Sequence, residues 1–170
     1  MDMQNKTEHN NKHNNKHNNK YDNKHYGYLL VMAVLSFVCM YALMYAMVDT
    51  FANVYPNLNQ FYMAGLMTAP MIVMEMIFMR AMYHNKKWNA VIIAISFVAL
   101  IVFFMLIRQQ VAIGDEQFLK SMIPHHAGAI LMCEKASIQD SEIKKLCEGI
   151  IINQQNEITQ MKDILKRLEK

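Results

Sequence analysis

The chain has 170 residues, of which 54% are hydrophobic, and a formal net charge of +3. Its mean hydropathy is nevertheless close to zero, at +0.04, which predicts that apolar and polar residues are segregated into different segments. Basic residues do not cluster among aromatic side chains, so we expect no nucleic-acid partner. Three cysteines are too few for a disulfide scaffold. The 17 methionines indicate either flexible packing or a supply of soft metal ligands.

The N-terminal residues 1–27 are polar and repetitive, with HNNK written three times in succession from His9. Such a segment cannot bury a core, which predicts a disordered, cytoplasmic tail rich in His, Asn and Lys. Its regularly spaced histidines suit either a solvated tail or weak binding of transition metals.

Three apolar runs follow, at Tyr28–Val48, Phe61–Met79 and Trp88–Ile107. Each is long enough to cross a hydrocarbon layer of about 30 Å as a helix. Aromatic residues at the ends of these runs suit the headgroup region. We therefore expect a three-span transmembrane region over residues 28–108, with the lipid bilayer as its surroundings.

Lysine and arginine placement predicts the orientation of these spans. The tail and the turn at residues 83–87 are basic, whereas the loop Asp49–Gln60 has no basic residue. Because basic flanks stay in the cytoplasm, the N-terminus should be cytoplasmic and the C-terminal domain periplasmic or extracellular. The expected location is the cell (inner) membrane, with several passes.

Residues 113–170 have the composition of an amphipathic helical hairpin. Apolar residues recur at steps of three and four from Asp115 onward, residues 137–143 read as a turn, and a second helix is predicted over Ser141–Leu168. Two helices of this size do not enclose a core. A second copy would complete a four-helix bundle, so we expect a homodimer or higher homo-oligomer.

The stretch SMIPHHAGAILM, residues 121–132, places two adjacent histidines among methionines. Helical spacing brings these side chains to one broad face, and Gly128 permits close approach of a neighbouring backbone. Pro124 should kink the helix or begin a new turn. Imidazole with thioether sulfur favours copper, as Cu(I) or Cu(II), over zinc, although another transition metal also fits. The alternative is that the histidines are ordinary helix residues and the methionines are core.

The blocks DEQFLKSMIPHHAGAILM and IINQQNEITQMKDIL resemble the DUF305 family, with its M-x-x-H-H and Q-x-x-E-I-x-x-M segments. The resemblance implies half of a ferritin-like four-helix bundle, a bacterial source, and copper binding outside the cytoplasm. The partner it implies is a metallochaperone or a copper exporter. Carried onto this chain, it selects seven metal ligands: Met122, His125, His126, Met132, Gln154, Glu157 and Met161.

Cys133 and Cys147 each lie the same distance in sequence from Asp140 in the turn, so antiparallel helices would place them at similar height. A disulfide, a free pair of soft ligands and two small buried hydrophobic residues all remain open.

The leading functional interpretation is a membrane-anchored, non-enzymatic protein that buffers copper or hands it on. An oxidoreductase is disfavoured because the sequence has no paired Glu-x-x-His motifs. A second interpretation is a copper or cation transporter, and a third is a structural or interaction module. The transporter would use Glu75 and two methionine ridges, at Met40, Met44 and Met47 and at Met63, Met67, Met71 and Met74.

Overall fold

The computed structural model describes residues 24–169, and the described chain is helical throughout, without a strand. The all-α prediction is confirmed. Predictions for the tail fall mostly on residues 1–23, outside the described residues. The five helices are α1, Lys24–Met47, which ends in a 3-10 turn at Met44–Met47; α2, Leu58–Phe78; α3, Lys86–Arg108; α4, Asp115–Lys135; and α5, Ser141–Leu168.

Helices α1, α2 and α3 are long and apolar enough to cross a membrane, as the sequence predicts. Only 6% of the apolar window of α1, 33% of that of α2 and 6% of that of α3 is buried inside the protein. Exposed apolar surface on this scale is unfavourable in water and is expected where lipid covers it. The direction in which the spans cross the membrane stays a prediction.

The chain forms two compact units, and the first combines residues 24–38 with Gly65–Val102. Its core is the cluster of Leu29, Met76 and Tyr83. The Asn89 side chain donates to the Tyr83 carbonyl oxygen at 2.9 Å, which ties the start of α3 to the preceding turn. Burial raises the pKa of Tyr83, and the neighbouring carboxyl group of Glu75 raises it further. Glu75 therefore lies beside a tyrosine hydroxyl.

The second unit combines Cys39–Ala64 with Phe103–Lys170 and contains the hairpin of α4 and α5. Asp140 caps α5 by accepting hydrogen bonds from the amides of Glu142, at 2.8 Å, and Ile143, at 3.0 Å. The predicted bounds of the second helix are confirmed. Apolar side chains from both helices form the hairpin core: Leu119, Ile123, Ala127, Ile130, Ile158, Met161 and Leu165.

The connection between α1 and α2 packs on α4 within this second unit. Val48 and Tyr55 lie against the hairpin core. The amide of Leu58 donates to Gln117 Oε1 at 3.0 Å, and the Asn57 side chain donates to the Lys120 carbonyl oxygen at 3.3 Å. The first interhelical loop is thus fixed on the motif-bearing helix. The predicted division into tail, membrane region and hairpin domain did not foresee that this loop packs on the hairpin. The division itself stays a prediction.

A short link, residues 109–114, joins α3 to α4, and neither of its two left-handed positions is a glycine. Gln110 and Ala112 adopt left-handed backbone conformations, with φ of 49° and 58°. The amide of Val111 donates back to the Leu106 carbonyl oxygen at 3.1 Å, as in a Schellman-type helix end. The Gln110 side chain also exchanges two hydrogen bonds of 3.1 Å with that of Asn59. These bonds hold the beginning of α4 close to the beginning of α2.

Candidate metal site

The two motif histidines lie at the centre of α4 and have different surroundings. The helix is not interrupted at Pro124, which is buried within it. The ring centroids of His125 and His126 are 5.9 Å apart and their planes are inclined by 74°. Adjacent residues of an α-helix project about 100° apart around its axis. The two imidazole rings therefore lie on different faces of α4.

His125 lines a cavity of about 420 Å³ that lies within the second unit. The same cavity is lined by five methionines, of which Met122 and Met132 come from α4 as the sequence predicts. The polar lining consists of Asn, Gln and Ser side chains. The lining as a whole is Met44, Met47, Asn57, Asn59, Gln60, Met63, Ser121, Met122, Pro124, His125, Gly128, Ala129 and Met132.

Three of the cavity's methionines were not among the predicted site residues. Met44 and Met47 come from the end of α1, and Met63 comes from the beginning of α2. In the sequence they are parts of two membrane ridges, and nothing in their local pattern relates them to His125. The sequence contains one indication of this contact: each of the two methionine ridges ends next to the loop between α1 and α2.

Gly128 allows α1 to approach α4. A Cβ atom added at Gly128 would lie 3.4 Å from the carbonyl oxygen of Met47 and 3.9 Å from its Cβ atom. The predicted close approach of a neighbouring backbone is confirmed, and the neighbour is the end of the first span.

His126 lies on the side of α4 that meets α5. Its Nε2 atom is 3.3 Å from Glu157 Oε2, so the two motif segments meet across the hairpin at this pair. Burial lowers the pKa of His126, and the charge of Glu157 only partly opposes that effect. The imidazole is therefore neutral at pH 7, which is the form that binds metals.

Two buried polar side-chain atoms of the motif residues have no hydrogen-bond partner within residues 24–169. They are His126 Nδ1 and Gln154 Oε1. With Nε2 directed at a carboxylate, the imidazole lone pair is expected on Nδ1. Met161, the last of the predicted ligands, is buried in the hairpin core, where Met122 packs against the same cluster.

The predicted ligands are therefore distributed over three environments: the cavity, the His126 side and the core. No group of three or more His, Cys, Asp or Glu side chains in the described residues could hold a metal ion. The cavity has a different donor set, a single imidazole among thioethers. Neutral nitrogen and sulfur donors of this kind fit a soft cation such as Cu(I).

Cys133 and Cys147 form a disulfide that joins the end of α4 to the beginning of α5, with 5.3 Å between their Cα atoms. Of the three interpretations left open by the sequence, the structure selects this one. Cys39 is a free and exposed thiol.

Comparison with known proteins gives a family match and a similar protein. Residues 105–165 match the family described as "Domain of unknown function (DUF305)". An uncharacterized protein of Acanthamoeba polyphaga mimivirus is 41% identical over 119 residues, which cover 69% of this chain and 76% of that protein. No solved structure gives a significant match. This relative is viral, so the comparison does not support the expected bacterial source. The chain belongs to the same family as the mimivirus protein, and its residues 105–165 are the DUF305 domain that the motif resemblance indicates.

Proposed function

We propose that the protein is a membrane-anchored copper-binding protein that buffers copper or hands it on outside the cytoplasm. One observation carries the proposal: His125, Met122 and Met132, all from α4, line a single cavity. Their arrangement on one helix follows from steps of three and seven residues, which return to similar directions around the helix axis.

The donor chemistry supports copper over zinc, because thioether sulfur is selective for soft ions. His126, Gln154 and Glu157 supply a second, harder set of imidazole and oxygen donors on the α5 side. This second set suits Cu(II) or another divalent transition metal. We propose that Met161 supports Met122 from within the hairpin core.

Export of the hairpin is part of the proposal. A disulfide between Cys133 and Cys147 is favoured by an oxidising compartment, since thiols in the cytosol are kept reduced. The basic residues of the tail and of the turn at 83–87 support the same orientation. Copper bound on this side of the membrane would be exchanged with a metallochaperone or a copper exporter.

Transport through the membrane is a second candidate, since methionines from the ends of two spans reach the cavity. The ridge of α2 is less suitable as a path, because Met67 and Met74 lie outside the cavity lining and are 46% and 52% exposed. Exposed apolar side chains in a span are expected to contact lipid. The binding interpretation therefore has the stronger support.

The proposal is tested by copper titration of the full-length protein in detergent, with a competing chelator. His9, His13, His17 and His25 are first replaced by asparagine, so that the tail does not contribute. In this background we expect His125→Ala to weaken copper binding at least about tenfold, since even the loss of a residue that only supports a metal ligand costs about 10–100-fold.

The matched control is His84→Ala, which removes an exposed histidine outside the cavity. This variant should bind copper as the parent protein does. Equal affinities for the parent, His84→Ala and His125→Ala would refute copper binding at the cavity. A parent protein that takes up neither Cu(I) nor Cu(II) would refute the function as a whole.

A further inference from the structure

We infer that Met44, Met47 and Met63 are ligands in the cavity together with His125, and that the ion held there is a soft monovalent cation, Cu(I). The inference rests on the proposed function and extends it from the motif helix to the membrane anchor. It assigns metal-binding roles to residues that otherwise read as parts of apolar spans.

The geometry of the α1 end supports this assignment. Met44–Met47 is a 3-10 turn. In a 3-10 helix the side chains at i and i+3 are aligned, because there are about three residues per turn. Met44 and Met47 therefore project on the same side, and both line the cavity. Contact at Gly128 fixes this turn close to α4.

Met63 is held by a different set of contacts. It lies in the second turn of α2, whose beginning is joined to α4 through the Leu58 amide and the side chain of Asn59, which donates to Ser121 Oγ at 3.3 Å. The Tyr62 hydroxyl donates to the Val111 carbonyl oxygen at 3.0 Å. These bonds fix the beginning of α2, which carries Met63, to α4 and to the link at residues 109–114.

The charge of the lining decides between a monovalent and a divalent ion. The lining residues include no carboxylate and no thiol. A divalent cation transferred from water into such a neutral lining would lose hydration without gaining a compensating anion. A soft monovalent cation loses less hydration free energy, and it gains bonds to thioether sulfur. Gln60 Oε1, in the same lining, is buried and has no hydrogen-bond partner among the described residues, as expected of a cavity that holds a ligand or water.

The number of sulfur atoms predicts how substitutions combine. Five methionines line the cavity, more than one ion needs beside an imidazole. If one thioether is lost, another can take its place as a ligand, whereas the loss of all three span methionines cannot be compensated in this way. We therefore expect single Met→Leu changes to lower the metal affinity only slightly and the triple variant to lower it strongly.

The experiment is a titration with Ag(I), a redox-inert stand-in for Cu(I) that needs no reductant. The parent protein for it is the full-length chain with the four tail histidines replaced and with Cys39→Ser, because the free thiol of Cys39 would otherwise bind Ag(I) more tightly than a thioether does. Met44→Leu/Met47→Leu/Met63→Leu should bind Ag(I) at least about tenfold more weakly than the parent protein. The control, Met67→Leu/Met71→Leu/Met74→Leu, removes as many thioethers from the spans outside the cavity. Its Ag(I) affinity should be unchanged. Leucine and methionine have similar volumes, so both variants should fold.

A second measurement needs no substitution at the site. With ¹³C-methyl methionine, Ag(I) should shift the methyl resonances of Met44, Met47 and Met63 and leave those of Met67 and Met74 in place. Unshifted resonances for the first three, or equal Ag(I) affinities for the two triple variants, would overturn the inference. If His125→Ala still lost copper in that case, the proposed function would stand on α4 alone. If His125→Ala bound copper normally, the proposed function would fail as well.

Discussion

At the scale of single residues, the adjacent histidines lie in different surroundings. His125 belongs to a cavity of thioethers, whereas His126 faces a carboxylate across the hairpin. Since neighbouring helix positions diverge by about 100°, two consecutive imidazoles can provide donors to two sites of different softness. The doublet therefore need not act as one chelating pair.

Gly128 gives a test of the contact that brings the first span to α4. Gly128→Ala should fold with the cavity intact, since its Cβ would be in ordinary contact with Met47. It should raise the free energy of unfolding by up to about 1 kcal/mol, because alanine is the better helix former. Gly128→Leu should lower it by about 1–3 kcal/mol through overpacking. Chemical unfolding in detergent, followed by circular dichroism, measures both.

Gly149 on α5 is the matched control, because a Cβ added there meets nothing within 4 Å. Gly149→Leu should be neutral or stabilising. If both leucine variants behaved alike, close packing at Gly128 would not be the cause of the loss.

At the scale of helices, the disulfide should add measurably to the stability of the hairpin. It joins residues separated by 14 positions, and closing a loop of that length stabilises a fold by about 3 kcal/mol in the chain-entropy model. Cys133→Ser/Cys147→Ser should lower the free energy of unfolding of the hairpin by about this amount. Hydrogen exchange of α4 and α5 amides measures the loss.

Cys39→Ser is the control for that experiment, since Cys39 is free and exposed. It should leave amide exchange in the hairpin unchanged. Unaltered exchange in the double serine variant would mean that packing alone holds the two helices together.

Helices and their pairing were predictable because their signals are local. Uninterrupted apolar runs predict the spans, and apolar residues at steps of three and four predict α5. The contribution of Met44, Met47 and Met63 to the cavity was not predictable, because it depends on a loop folding back on α4. No local periodicity encodes a contact between residues so far apart in sequence. The expected single broad face for both histidines is not what the structure has, because His125 lines the cavity whereas His126 meets Glu157 of α5.

At the scale of the whole molecule, the surface of α5 indicates how copies of the chain would associate. One face of α4 is covered by the α1–α2 connection, whereas Ile143 and Leu146 on α5 are 49% and 62% exposed. Pairing of two hairpins through α5 would bury these side chains in a four-helix arrangement. We propose a homodimer formed in this way.

Light scattering of the purified protein in detergent tests the dimer. The parent protein should have the mass of two chains. Ile143→Lys/Leu146→Lys should reduce the mass to that of one chain, because the two lysines on each copy would repel those of the other copy. The control Gln155→Lys/Gln160→Lys adds the same charge at exposed polar positions of α5. A dimer that survives the first pair of changes would exclude this face as its contact.

The short link at residues 109–114 would restrict how an ion held in the proposed site could travel. With Gln110 and Ala112 in left-handed conformations and Gln110 bonded to Asn59, the beginning of α4 is held close to the beginning of α2. If the cavity binds copper as proposed, a carrier that exchanges it would have to come to the lipid surface. Encounters would be fastest with partners that diffuse in the same bilayer, where the search is confined to two dimensions.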